Sequence, residues 1–146
     1  MAGAALALLV TFVAKANRSS AKNTFRVEQL DSHVASWIDR IDSLQFVRLE
    51  VAGTDDFLQL SAAPGAIELD YPQMTSRQRE LGPMFRHICN ALGLRVREST
   101  GSEGSLFLDA DVPRSSSSLK QAIEALLVGM FGVVPETKLV AVAVEE

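Results

Sequence analysis

The run from Phe57 to Leu94 constrains this chain more than any other stretch, because it carries two strand patterns, a tight turn and a capped helix in succession. Phe57 to Ser61 has strand composition, and Ala63-Pro64-Gly65 is turn chemistry that reverses it. Ile67, Leu69 and Tyr71 then alternate with Glu68 and Asp70, which predicts a strand with one dry and one wet face. Thr75 followed three residues later by Gln78 is a capping box, in which the threonine oxygen accepts from a free backbone N–H and the glutamine reaches back to the cap. Leu81, Met84 with Phe85, Ile88 and Leu92 continue one apolar stripe. Gly82-Pro83 predicts a kink or restart, since proline lacks the N–H and crowds the preceding turn. Gly93 followed by Leu94 is a C-terminal cap that ends the helix at Leu92.

The flanking chain reads as cover for that unit. Val27, Leu30, Val34, Trp37 with Ile38, and Ile41 recur at three- and four-residue steps, which predicts an amphipathic helix with Trp37 in its core stripe. Val47, Leu49 and Val51 alternate against Phe46, Arg48 and Glu50 as a strand, and Gly53 to Asp56 is a turn. Beyond the capped helix, Leu94 to Glu98 and Leu106 to Val112 are strand candidates joined by the hairpin-like Gly101-Ser102-Glu103-Gly104. The serines Ser115 to Ser118 form a short link, with Ser118 standing as N-cap three residues before Gln121. Leu119, Ala122, Ile123, Leu126, Leu127, Met130 and Phe131 follow as a strongly apolar helix, stopped by Gly132 and Pro135. Lys138 to Val144 is a continuous apolar run of strand length, which requires burial or a paired partner to avoid an exposed aggregation edge.

The expected fold class is α+β: a largely antiparallel sheet of five or six strands with packed helices, in the order α-β-β-β-α-β-β-α-β, preceded by a hydrophobic N-terminal helix. A length of 146 residues with 47% apolar content supports one domain with a real core, and residues 27–146 are assigned to it. Residues 1–16 are a separate hydrophobic segment and 17–26 a polar, basic linker. The segment's apolar residues are Leu6, Leu8, Leu9, Val10, Phe12 and Val13, and Lys15 and Arg18 are its flanking, interfacial cations. Its uncharged part, Ala2 to Ala14, rises only about 20 Å as a helix against roughly 30 Å of hydrocarbon. Three placements compete. A membrane anchor with cations on its C-terminal side would hold the domain in the cytoplasm. A secretory signal would be cleaved near Ala16 after the A-x-A pattern Ala14-Lys15-Ala16, although no cation precedes the core. A soluble cytoplasmic protein would need the segment packed on its own domain or a partner, because the run is apolar on every face.

Eighteen acidic against fourteen basic residues give a net charge of −4, with cations after position 40 scattered singly among acids, so no nucleic-acid footprint is present. The one cysteine, Cys89, excludes an internal disulfide. His87 and Cys89 stand two residues apart on a helix and point about 200° away from each other, so they cannot share a metal or form a nucleophile pair. His33 lies beside the first helix's stripe without a cysteine or second histidine nearby. Asp109 with Asp111, and Glu68 with Asp70, are carboxylate pairs that share a strand face and could hold a divalent cation, but neither has the glycine-punctuated loop of a calcium site. No serine sits in a G-x-S-x-G elbow. No catalytic, metal or cofactor site is therefore assigned, and the chain is expected not to be an enzyme.

From Val27 to Phe131 the pattern is similar to the type III secretion chaperone-like fold and its relatives among tyrosine-rich chaperone-like domains and bacterial sensory-regulator proteins. The residues that carry the resemblance are Phe57-Leu58-Gln59-Leu60, Ile67-Glu68-Leu69, Thr75 to Gln78 leading into Ala91-Leu92-Gly93-Leu94, and Leu127 to Gly132. The chain differs in having one tyrosine, Tyr71, in adding the terminal strand, and in carrying the apolar N-terminus. The resemblance implies a non-catalytic domain that binds a protein segment or forms a homodimer. The expected function is a membrane-anchored or membrane-adjacent protein-binding module, with a soluble chaperone-like homodimer as the alternative and a small exported enzyme as the third.

Overall fold

A computed structural model describes residues 20–101 and 104–146. The expected hydrophobic helix within 1–16 lies outside the described residues. Among the described residues, no helix is long and apolar enough to cross a membrane.

One sheet of seven strands carries the fold. In chain order the elements are β1 (Ser20–Arg26), α1 (Leu30–Arg40), β2 (Leu44–Val51), β3 (Phe57–Ala63), β4 (Ala66–Pro72), α2 (Ser76–Ala91), β5 (Val96–Thr100), β6 (Leu106–Pro113), α3 (Ser116–Phe131) and β7 (Lys138–Glu145). The spatial order is β1-β7-β2-β3-β4-β6-β5, with every pair antiparallel. The α+β class is as expected, but the strand count is seven rather than five or six. The additional strand is β1, in the polar stretch SAKNTFR, which has almost no alternating apolar signal because only Phe25 is buried. Its pairing is supplied by β7, from Ser20 opposite Val144 to Arg26 opposite Lys138.

The meander β2-β3-β4 forms as the alternation requires. Val47, Leu49, Leu58, Leu60, Ile67, Leu69 and Tyr71 are buried on one face, in a single cluster with Val34 and Trp37 of α1, Phe85 and Cys89 of α2, and Leu119, Ile123, Leu126 and Leu127 of α3. α3 is the central helix, touching α1 on one side and α2 on the other. The apolar run 138–144 avoids edge exposure by lying between β1 and β2.

Two local expectations are corrected. α2 runs unbroken from Ser76 to Ala91 with Pro83 inside it. Pro83 is the eighth of the sixteen residues, so the helix continues past a forfeited mid-helix hydrogen bond, and Gly82 before it has no Cβ to crowd the ring. The cap of α3 is Ser115 rather than Ser118: the Ser115 hydroxyl accepts from the Ser118 N–H at 3.2 Å. The capping box of α2 is present, with Thr75 Oγ1 accepting from the Gln78 N–H at 3.1 Å and Gln78 Oε1 accepting from the Thr75 N–H at 3.0 Å. α2 leaves through Gly93, whose φ of +78° is a left-handed conformation that favours glycine.

Arg114, between β6 and α3, ties three corners together. Its guanidinium donates to both Asp42 carboxylate oxygens at 2.9 and 3.0 Å and to the carbonyls of Ala63 and Ala66 at 2.9 and 3.0 Å, closing the β3–β4 turn against the start of β2. Arg114→Ala is expected to lower the midpoint of urea unfolding, because two turn carbonyls lose a charged donor. Lysine should restore only part of that, since a single ammonium cannot span the fork. Urea unfolding of the three proteins measures both.

Candidate functional site

The helices cover one face of the sheet, and the other face divides sharply in two. Strand register places Lys22, Val142, Arg48, Gln59, Asp70, Asp109 and Arg97 in one continuous row across all seven strands. Around that row the β7–β2–β3 half mixes apolar side chains with Arg48, Glu50 and Gln59: Val140, Val142 and Val144 alternate along β7, with Phe46 opposite Val144 and Phe57 opposite Glu50. Phe46, Phe57 and Val144 are only 6%, 4% and 6% exposed although they face away from the helix-side cluster. Arg48 lies over the Phe57 ring, 4.1 Å from its centre, with its Nε 3.0 Å from Glu50. Burial pulls the Arg48 guanidinium below its usual range, partly countered by Glu50 and Asp55.

The β4–β6–β5 half is acidic. Glu68 is opposite Asp111 and Asp70 opposite Asp109, so the two carboxylate pairs noted separately in the sequence meet across one strand pair. One carboxylate oxygen each from Glu68, Asp70 and Asp109 lie within 4.8 Å of one another. Arg97 of β5 closes the end of the group, pairing with Glu68 and, at 3.1 Å, with Asp111. Asp109 is 3% exposed, one of few buried polar side chains. Burial first, then the hydrogen bond to Asp109 and the charge of Glu68, push the Asp70 carboxyl up to about 10. Asp70 therefore keeps its proton at neutral pH. Oxygens spaced this way could also contact a divalent cation, but a shared proton relieves the same repulsion with no ion.

The soft nucleophile and ligand candidates are dispersed. Cys89 is fully buried on the core side of α2, where desolvation pushes its thiol up to about 11. His87 lies on the outer surface of the same helix, so the two residues are separated as their helical spacing requires. His33 stacks on Phe25 with ring centres 3.8 Å apart, and desolvation lowers its pKa. Trp37 is in the core as expected, 4% exposed.

A second surface lies outside the helix layer. Between α2 and α3 runs a shallow apolar groove lined by Met84, Ile88, Leu92, Ala125, Val128 and Gly129, with His87, Gln121 and Glu124 also bordering it. Met84 is 42% and Val128 51% exposed. Gly129 lies against Ile88: a Cβ there would meet the end of the Ile88 side chain, which would have to shift to admit it. The sequence placed Met84 on the buried stripe and passed over Val128. The signal available was the width of the apolar arc on α3, where apolar residues exceed what one buried face requires.

No family model matches this chain, and neither a curated protein nor a solved structure is significantly similar to it. The residues expected from the sequence to form a membrane segment, Leu6, Leu8, Leu9, Val10, Phe12 and Val13, and the expected interfacial cations Lys15 and Arg18, lie outside the described residues.

Proposed function

We propose that this protein is a non-catalytic protein-binding module that receives an amphipathic helix from another protein in the groove between α2 and α3. The observation that carries this reading is the shallow apolar groove between two helices, with Met84 and Val128 exposed in it and Gly129 among its lining. Helix-in-groove recognition lays apolar anchors at successive helical turns into such a trough, and methionine adapts its shape to them. Glu124 on the rim, in a chain of net charge −4, favours lysine or arginine flanking those anchors. The burial of Cys89 and the flat, one-sided setting of the carboxylates support a role without chemistry of its own.

The test uses a fluorescently labelled leucine–lysine amphipathic peptide and anisotropy. Saturable binding is expected, weakened at least about tenfold by Met84→Glu and by Val128→Glu, since each places an unpaired charge in the groove. Sedimentation of the same proteins checks the competing occupant. Absence of binding, indifference to both substitutions, or a homodimer that Val128→Glu dissociates would each overturn the proposal.

A further inference from the structure

At the β5 edge of the sheet the helix layer leaves a cleft open. β5 is the last strand, and its Glu98 stands opposite Leu108 of β6, a residue of the helix-side core, so both look toward the helices. α2 does not close over them. Arg79, Gly82, Pro83 and Arg86 follow at steps of three, four and seven along one face of that helix. Between the two arginines Gly82 has no side chain and Pro83 only a compact ring, and the gap faces Glu98, Leu106 and Phe107 across a space of about 290 Å³. This cleft is more enclosed than the groove between α2 and α3 and lies on another face of α2.

Its walls are built from two kinds of group. One wall is apolar and uncovered, since Leu106 is 48% exposed beside Pro83 and Phe107. The end is fixed by Gln73, whose Nε2 donates to the carbonyls of Pro72 and Gln78, both at 2.9 Å, and whose amide lies against Gly82. The other wall is cationic: two guanidiniums against the one carboxylate of Glu98, a local positive surplus in a chain of net charge −4. Arg86 Nη2 donates to Glu98 at 2.6 Å and Arg79 Nη1 to the Met74 carbonyl at 2.7 Å, and each guanidinium carries further N–H groups.

We propose that this cleft binds a small carboxylate with an apolar body, its carboxylate on Arg79 and Arg86 and its body against Pro83, Leu106 and Phe107. Guanidinium is the side-chain group best matched to a carboxylate's two oxygens. The volume is at the lower end for ligand sites, which suits a small molecule and is too little for a peptide helix.

Hydrocinnamate added to the full-length protein, followed by amide NMR, tests this. Saturable shifts are expected at Gly82, Arg86, Glu98 and Leu106, with a Kd of about 1 mM or tighter. Neutral hydrocinnamamide should bind at least about tenfold more weakly, because it forms no ionic pair with the arginines; that comparison needs no variant. Arg79→Gln and Leu106→Asn should each weaken hydrocinnamate binding about fivefold or more, with the spectrum itself reporting that each variant is folded. Val128→Glu, in the groove on the other face of α2, should leave it unchanged. No saturable shift, equal binding of the acid and its amide, indifference to both cleft substitutions, or loss of binding in Val128→Glu would overturn the proposal.

Discussion

Asp70→Asn should make the protein's stability nearly independent of pH between about 5 and 9, a range over which the unaltered protein weakens steadily. The sign follows from where the proton is held. In the unfolded chain Asp70 ionises near the ordinary carboxylate pKa of about 4, and in the folded protein burial and the Asp109 hydrogen bond hold it up at about 10. Between those values the folded state binds more protons than the unfolded state, so stability is greatest below the unfolded pKa and is lost as pH rises through the folded one. The slope approaches about 1.4 kcal/mol per pH unit for one proton held fully. An asparagine amide at position 70 can donate to Asp109 as the protonated acid does, with no proton to lose. Thermal melts at pH 5, 7 and 9 measure the difference. Parallel pH profiles for the two proteins would show that β4 and β6 do not share a proton.

On α3, two substitutions a few ångströms apart should differ several-fold in cost. Leu126 is fully buried against α1, α2 and the sheet, and Leu126→Ala is expected to destabilise the protein by about 3–4 kcal/mol, the lost transfer energy plus an unfilled cavity. Val128, 51% exposed at the groove, should lose no more than about 0.5 kcal/mol on conversion to alanine. Denaturant unfolding of both variants checks this. A Val128→Ala cost above about 1.5 kcal/mol would mean the groove is closed in solution and its lining belongs to the core.

The elements legible from residues alone are those whose signal is local. The capping box at Thr75 and Gln78, the alternation of Ile67, Glu68, Leu69 and Asp70, and the left-handed glycine at 93 each reside within a few residues and reappear as read. What stayed hidden depends on partners far away in sequence. β1 has a strand's conformation only because β7 supplies its hydrogen bonds, and nothing in SAKNTFR announces that. The acidic group was visible as two pairs, Glu68 with Asp70 and Asp109 with Asp111, and its existence as one group depends on β6 pairing with β4 rather than with β5 alone. Pro83 misled for a different reason: one lost mid-helix hydrogen bond does not interrupt a helix whose buried face, with Phe85 and Cys89, is held in the core on the far side of the proline. The groove was obscured because Met84 and Val128 have the composition of core residues, and their exposure depends on how α2 and α3 pack.

The placement of β7 also has a consequence for synthesis. Because the ribosome releases β1 and β2 more than eighty residues before the strand that separates them, both sit as unsatisfied edges while most of the chain is being made. β4 likewise waits through α2 and β5 for β6. The sheet therefore closes late and at its inside positions, through contacts distant in sequence, which slows folding and lengthens the exposure of the nascent chain to wrong pairings. Lys22 and Arg26 on β1, and Arg48 on β2, put charge on those waiting edges during the interval.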